Sequence, residues 1–276
     1  MMRLLVALLA FFSLTGPAYA DIERLLAPSS KLHDKIWLNH SAGSTATIDH
    51  SAWDRFLSAY LSADSAGVHR VDYAAVSLAD RELVVSYIDS LEAVDPATLD
   101  RPEQLAFWIN LYNAQTVALI LENYPVDSIR DISSGLFSLG PWDQEAVTIS
   151  GRTLSLNDIE HGIVRPVYQD ARIHYALNCA AVSCPNLAAK AFSGERLEAD
   201  LTSAEKAYIN DPRGVRLDGE KLVLSSIYNW FRDDFGQTEA DVIARLGKYA
   251  TGRTADALNG RSEVDEFEYD WALNRR

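Results

Sequence analysis

The 276-residue chain has the composition of an ordinary globular protein, with 48% hydrophobic, 23% charged and 10% aromatic residues. These proportions exclude a disordered or collagen-like chain. The formal charge of −14 leaves no broad cationic surface that could bind phosphates or an anionic membrane. We therefore expect no nucleic-acid partner.

The first twenty residues have the three parts of a secretory signal peptide. A positive start at Arg3 precedes an apolar stretch over 4–14, and the Ala-Tyr-Ala of 18–20 is a small-x-small cleavage signal. The apolar stretch is shorter than the roughly 20 residues of a permanent membrane helix. We expect cleavage of residues 1–20 and a periplasmic or secreted protein that begins at Asp21, in an oxidising compartment.

The rest of the chain has no internal repeat, low-complexity tract or long linker, which predicts one domain. Residues 21–50 lack clear periodicity and are interpreted as an N-terminal extension of a single domain over 51–276. The most apolar later stretch, 105–121, contains amide and hydroxyl side chains that would be costly in hydrocarbon. It predicts a buried core helix, and we expect no permanent membrane span.

Helices dominate the first half of the expected fold. Ser51 and Asp54 form a capping-box pattern before apolar residues at helical spacing, and similar spacing marks a second helix over 84–91. A third helix should begin at Asp100 and end at about Asn123, before a proline. Because it is apolar on nearly every face, it should be the central helix.

Strand signals follow this helix. Segments 146–150 and 152–156 flank a turn glycine and predict a hairpin, and 215–217 with 222–224 predict a second one. The other expected elements are a short helix over 156–165, a strand over 172–178, helices over 197–209, 227–235 and 239–246, and a last strand over 264–271. This order predicts an α+β domain in which helices surround the central helix and a small, mainly antiparallel sheet.

Four ordered blocks of sequence carry a family resemblance. They are 107–114 (FWINLYNA), 154–162 (LSLNDIEHG), 174–185 (HYALNCAAVSCP) and 269–274 (YDWALN). On these blocks the chain resembles, from about residue 71 to 274, the family called domain of unknown function 547. The resemblance implies no established reaction, substrate or cofactor. The Cys-, His- and Asn-rich core is also distantly similar to that of papain-like and transglutaminase-like thiol enzymes.

Cys179 is the candidate nucleophile, and a thiol nucleophile needs a base within hydrogen-bond reach. If the segment from His174 to Cys179 is extended, five steps of about 3.3 Å put their Cα atoms about 16 Å apart. His174 is then a poor partner. His161 lies on a different element and is the preferred base, and Asp158, on the same helix face, could hold its imidazolium.

Two alternatives compete for the cysteines. An even pair in an exported protein, Cys179 and Cys184, is often a disulfide. Zinc could instead be held by these cysteines together with His161 and His174, although their spacing matches no common zinc motif. We expect no cofactor and no metal.

Two amides on the central helix, Asn110 and Asn113, share one face at i, i+3. The structural interpretation is that they bind neighbouring loop backbone, since a buried amide without partners costs about 1–3 kcal/mol. The catalytic interpretation is that one of them donates to an oxyanion or orients the base. The aromatic side chains of 228–235 have helical spacing and are expected in the core.

Two functional hypotheses follow from the sequence. The first is a thiol-dependent hydrolase or acyl transferase acting on an unknown small-molecule or peptide ligand. Its catalytic residues would be Cys179, His161 and Asn110, supported by Asn113, Asp158, His174 and Cys184. The second is a non-catalytic periplasmic binding or scaffolding domain, in which the cysteines form a structural disulfide and the histidines are structural.

Overall fold

The computed structural model describes residues 23–132 and 140–276, so the expected signal peptide at 1–20 lies outside the described residues. A helical turn over 23–26 comes first. The α-helices that follow are α1 (Ser51–Tyr60), α2 (Leu78–Glu92), α3 (Arg101–Asn123), α4 (Arg165–Tyr168), α5 (Leu197–Ile209), α6 (Ile227–Trp230), α7 (Arg232–Phe235), α8 (Glu239–Gly247) and α9 (Gly252–Leu258).

Within the described residues the strands form three small sheets, whereas the sequence predicts one. They are β1 (Leu61–Ala63), β2 (His69–Val71), β3 (Val147–Ile149), β4 (Arg152–Leu154), β5 (Val215–Asp218), β6 (Lys221–Ser225) and β7 (Glu266–Glu268). The first two sheets are the antiparallel pairs β1-β2 and β3-β4, and the third has the order β5-β6-β7. Only its β6-β7 pair is parallel. Short, mainly antiparallel strands among many helices confirm the α+β class.

Helix α3 is central, as predicted. The Asp100 side chain caps it by accepting a hydrogen bond from the backbone N–H of Glu103, at 3.1 Å. Its 23 residues span about 34 Å at about 1.5 Å per residue, and most of its side chains are buried. Trp108 on this helix meets Trp37 of the N-terminal extension edge to face, with ring centroids 5.4 Å apart. The extension thus contributes to the core.

Two apolar clusters make up the interior. The larger surrounds α3, and the smaller lies around the β5-β6 hairpin and the helices after it. The segment 171–180 supplies buried side chains to both clusters, with Tyr175 in the smaller and Leu177 in the larger. The cysteine-bearing loop therefore starts at the boundary between them.

The predicted strand over 172–178 is wrong. Residues Ala171–Tyr175 form a 3-10 helix whose cap, the Asp170 side chain, accepts a hydrogen bond from the N–H of Arg172. A short polar side chain that binds the backbone locally competes with strand pairing. His174 and Cys179 are consequently not separated by an extended chain.

Other boundaries also differ from prediction. The helix expected over 156–165 is a π-helix, Asp158–Val164, that continues into α4. The helix expected over 227–235 is divided at Phe231 into α6 and α7, and the last strand is only β7. The β1-β2 hairpin and α9 are additional elements that the sequence signals do not predict. No helix in the described part of the chain is both long and apolar enough to cross a membrane.

The amide of Asn110 joins α3 to the loop before α5. Its oxygen accepts a hydrogen bond from the N–H of Phe192 at 3.0 Å, and its nitrogen donates to the Phe192 carbonyl at 2.8 Å. The side chain is buried, with 1% of its surface exposed. We expect Asn110→Leu to lower the free energy of unfolding by about 1–3 kcal/mol, because it leaves both backbone groups unpaired. Urea denaturation measures this loss.

The matched control is Asn123→Leu at the end of the same helix, where the amide is exposed and bonds only the Leu119 carbonyl. It should change stability by less than about 0.5 kcal/mol. Unchanged stability of Asn110→Leu, combined with a loss of activity or ligand affinity, would contradict the structural interpretation and favour the catalytic one.

Candidate functional site

Amide side chains fold the loop that carries both cysteines. Asn113 on α3 donates to the carbonyl of Ala176 at 2.9 Å and accepts from the N–H of Asn178 at 2.8 Å. Asn178 in turn donates to the carbonyl of Pro185 at 2.7 Å and accepts from the N–H of Ala180 at 2.9 Å. These four bonds bring the two ends of the loop together. Asn113 therefore holds the start of the loop against α3 through two bonds to backbone groups.

The C-terminal segment forms one wall of the site. The N–H of Val182 donates to the Ala272 carbonyl at 2.8 Å, and that of Asn274 donates to the Ala180 carbonyl at 2.9 Å. This pairing places the Tyr269 hydroxyl 3.0 Å from the sulfur of Cys179. The contact joins residues 90 positions apart in the chain.

Both cysteines are free thiols with different surroundings. Cys179 is partly exposed, whereas Cys184 is buried with 4% of its surface exposed. The N–H of Cys179 donates to the sulfur of Cys184 at 3.0 Å. The Leu177 carbonyl, 3.7 Å from the Cys184 sulfur, is an alternative acceptor for the single S–H of Cys184. The Cys184 sulfur therefore lies against the backbone of Cys179, within the same turn of the chain.

The pKa values of the two thiols shift in opposite directions, because the thiols differ in their hydrogen bonds. The pKa of Cys179 is lowered, mainly by its hydrogen bond with the Cys184 side chain, and further by bonds from Tyr269 and the N–H of Ala181. Burial and the negative charge of Glu160 oppose this shift. Burial raises the pKa of Cys184 well above the usual value. Hydrogen bonds to a charged form stabilise it, so Cys179 is the thiol that ionises first.

His161 is buried on the π-helix and forms no hydrogen bond with Cys179. Its Nδ1 lies 3.2 Å from Nη1 of Arg165. Since a guanidinium can only donate, this nitrogen is an acceptor and the ring is neutral. Burial, together with the charge of Arg165, lowers the pKa of His161 to about 4. The lone pair that a general base would use is thus already engaged.

His174 lies between two carboxylates. Its Nε2 is 2.7 Å from Oδ2 of Asp234, its Nδ1 is 3.7 Å from Oε1 of Glu160, and its ring stacks on Phe231 with centroids 4.4 Å apart. Arg165 also binds Asp234, at 2.6 Å. Burial opposes ionisation of Asp234, but the hydrogen bonds from His174 and Arg165 outweigh it and lower its pKa to about 2.

Glu160 is the member of this charged group whose negative charge also affects the pKa of Cys179. Its side chain is largely buried, it lies near both histidines, and it hydrogen-bonds Tyr112 of α3. Burial and the Glu160 carboxylate raise the pKa of Tyr112. Asp234, His174 and Glu160 are neighbours in the structure, and Glu160 acts on the pKa of Cys179 only through its charge.

Two of the sequence candidates lie elsewhere. Asn110 binds Phe192 and approaches Nε2 of His50 at 3.3 Å, and no described contact joins it to either cysteine. The Asp158 carboxylate accepts hydrogen bonds from the N–H and hydroxyl of Ser155, at 2.8 and 2.7 Å, and pairs with His33 at 2.7 Å.

Four residues of the site are not singled out by the sequence, although two of them lie within its motifs. Glu160 precedes His161 in one block and Tyr269 begins the last block, whereas Arg165 and Asp234 carry no signal of their own. Tyr228 and Phe235 are buried in the core, as expected for 228–235.

Two aromatic side chains of 228–235, Trp230 and Phe231, are partly exposed and contact residues of the site. Trp230 stacks on Trp271 with centroids 5.6 Å apart, and both contact Tyr269 at 4.8 and 4.6 Å. Phe231 contacts both histidines. Trp230 and Phe231 are only partly buried, but both pack against the smaller apolar cluster, as expected for the aromatic side chains of 228–235.

Comparison with protein families supports the resemblance found in the sequence. Residues 96–209 match the family described as "Protein of unknown function, DUF547". The DUF547 resemblance is confirmed. The matched segment includes the first three sequence blocks and both cysteines, and the block at 269–274 lies beyond it. Comparisons with curated proteins and with solved structures find no match, and the likeness to papain-like and transglutaminase-like enzymes is not confirmed.

No group of three or more His, Cys, Asp or Glu side chains within 23–132 and 140–276 is arranged to hold a metal ion. The four side chains considered for zinc are among these described residues.

The pH profile of Cys179 alkylation distinguishes Glu160 from His161 as its electrostatic partner. The rate constant for iodoacetamide should titrate below the usual thiol value of about 8.5. Glu160→Gln should move the midpoint lower, because removing a negative charge favours the thiolate. His161→Gln, the matched control on the same turn, should leave the midpoint unchanged, since His161 does not bond the thiol.

If the midpoint of Cys179 alkylation rises in Glu160→Gln, the Glu160 charge does not raise the pKa of Cys179. Slower alkylation of His161→Gln at neutral pH, with circular dichroism unchanged, would restore a Cys179–His161 pair.

Proposed function

We propose that this protein is a thiol-dependent hydrolase or acyl transferase whose nucleophile is Cys179. The observation that carries the proposal is a partly exposed thiol, with a lowered pKa, that accepts hydrogen bonds from Tyr269 and from loop backbone. A thiolate held by preformed donors needs no imidazolium beside it. The substrate would be an ester or amide of a small molecule or peptide.

The sulfur of Cys179 attacks the carbonyl carbon, a carbon–sulfur bond forms, and the bond from carbon to the alcohol or amine breaks. In this proposal the proton of the thiol passes to Glu160 through a water molecule, and from there to the leaving group. Water or a second acceptor then attacks the thioester, returns a proton through Glu160, and regenerates the thiol. His174 and Tyr112 position the Glu160 carboxyl, and Asp234 positions His174.

This proposal gives structural roles to His161, Asn110 and Asp158. His161 is neutral and bound by Arg165, which also holds Asp234. Asn110 and Asp158 keep α3 and the π-helix in place. The proposed proton carrier is thus a neighbour of the base expected from the sequence.

The alternative is a non-catalytic periplasmic binding or scaffolding domain with a Cys179–Cys184 disulfide. The short distance from the Cys179 nitrogen to the Cys184 sulfur favours it, since both side chains occupy one turn. Alkylation of the native protein separates the hypotheses, because two reactive thiols would leave the nucleophile available and a disulfide would block both.

A covalent intermediate should form on Cys179 with an activated ester. With p-nitrophenyl acetate, we expect a burst of about one equivalent of p-nitrophenolate and an acetyl group on Cys179 that neutral hydroxylamine removes. Stopped-flow absorbance and mass spectrometry measure the two signals. Glu160→Gln should still acetylate but should release the acetyl group roughly 100-fold more slowly.

Cys179→Ser and protein pre-treated with iodoacetamide serve as controls and should show no burst. Acetylation of lysines would survive hydroxylamine and is thereby distinguished. Equal acetylation of Cys184, or the absence of any thioester, would favour the non-catalytic alternative.

We further propose that the protein is exported and cleaved after Ala20, as the pattern of 1–20 indicates. N-terminal sequencing of protein expressed in a bacterial host should give Asp21 as the first residue. Ala18→Arg should block processing, because the site requires a small residue at this position, whereas Tyr19→Leu should not. A cytoplasmic product that keeps Met1 would contradict export.

A further inference from the structure

The two cysteines differ in ways that suit a reactive thiol and a resolving thiol. Cys179 is partly exposed and bonded by donors, and Cys184 is buried directly behind it. Cysteines that respond to oxidants are typically accessible, readily ionised and close to a second thiol. Acyl transfer needs only the sulfur of Cys179, so it does not account for the second thiol, Cys184.

The loop is built so that the second thiol stays in reach. Only four residues separate the cysteines, and the N–H of Cys184 donates to the Ala181 carbonyl at 3.1 Å. Ala180 has φ of 58°, in the left-handed region that non-glycine residues rarely occupy, and this turns the chain back on itself. Asn178 closes the loop by bonding both Ala180 and Pro185. No domain movement is needed to bring one sulfur to the other.

We propose that Cys179 and Cys184 form a peroxide-responsive dithiol switch. The Cys179 thiolate attacks the terminal oxygen of a hydroperoxide, a sulfur–oxygen bond forms, and the oxygen–oxygen bond breaks. The leaving alkoxide or hydroxide takes a proton from water, and Cys179 becomes a sulfenic acid. The thiol of Cys184 then attacks this sulfur, water leaves with the thiol proton, and a disulfide remains.

The sulfur is oxidised by two electrons and the peroxide is reduced by two. A dithiol reductant reverses the change by thiol–disulfide exchange and restores both thiols. Oxidation removes the Cys179 thiolate and with it the acceptor that faces Tyr269. The switch would therefore turn off chemistry at Cys179, yet its formation does not depend on whether the protein transfers acyl groups.

Mass spectrometry of the reduced full chain treated with hydrogen peroxide tests the proposal. Wild-type protein should lose two hydrogens, within the tryptic peptide 173–190 that contains both cysteines. With dimedone present, which traps sulfenic acids, Cys184→Ser should give a nearly stoichiometric adduct on Cys179. Wild-type protein should give little adduct, because Cys184 resolves the intermediate first. Cys179→Ser should give neither product.

Dithiothreitol should restore the mass of the wild-type protein. Cys184→Ala and circular dichroism of each variant check that an adduct does not arise from unfolding, and a brief peroxide pulse on wild-type protein maps the first site oxidised without any substitution. Oxidation of Cys184 before Cys179, over-oxidation of wild-type Cys179 without a disulfide, or a disulfide that dithiothreitol cannot reduce would each overturn the switch. Ester acetylation measured on the same reduced protein separates this result from the proposed acyl transfer.

Discussion

The site depends on the amide of Asn113, which is buried in the central helix and must find partners there. An amide has one acceptor and two donor positions, and leaving such a group unpaired inside a protein costs about 1–3 kcal/mol. The carbonyl of Ala176 and the N–H of Asn178 supply those partners. The requirement to satisfy one amide thus fixes the start of the cysteine loop against the buried central helix.

The thiolate of Cys179 is stabilised by hydrogen bonds more than by an ion pair. A Cys–His pair would hold the thiolate by the charge of an imidazolium, but here the nearby histidines have other partners: His161 faces Arg165 and His174 faces Asp234. The donors at the sulfur are Tyr269, the N–H of Ala181 and the Cys184 side chain. Since these donors are built into the loop and the C-terminal segment, the fold itself lowers the pKa of this thiol.

Local sequence signals predict the helices and hairpins well. Asp100 caps α3, and the glycine turns at 151 and 219 join β3 to β4 and β5 to β6, because each signal depends on residues a few positions apart. The prediction for segment 172–178 fails because a local cap at Asp170 outweighs its strand-like composition. The contact between Tyr269 and Cys179 cannot be predicted by spacing, since no periodicity relates residues 90 positions apart.

The choice of His161 as the base rests on two assumptions about local structure. His161 ranks above His174 only if the chain before Cys179 is extended, and a histidine is the expected base because its usual pKa lies near neutrality. Burial and Arg165 remove that property from His161, and neither effect is visible in a motif. Glu160 carries no signal in the sequence because a carboxylate next to a histidine is commonly a solvated charge, whereas the π-helix turns this one inward.

The N-terminal extension completes the support of that π-helix. The N–H groups of Lys31 and His33 donate to the carbonyls of His161 and Gly162, at 3.0 and 3.1 Å. Gly162 is required here, because a Cβ at this position would lie 2.6 Å from the His33 ring. The Pro28 carbonyl accepts from Arg165 at 2.8 Å, which directs the guanidinium toward Asp234 and His161. A segment without periodicity of its own thus orients the charged groups that hold His174, which in turn lies 3.7 Å from Glu160.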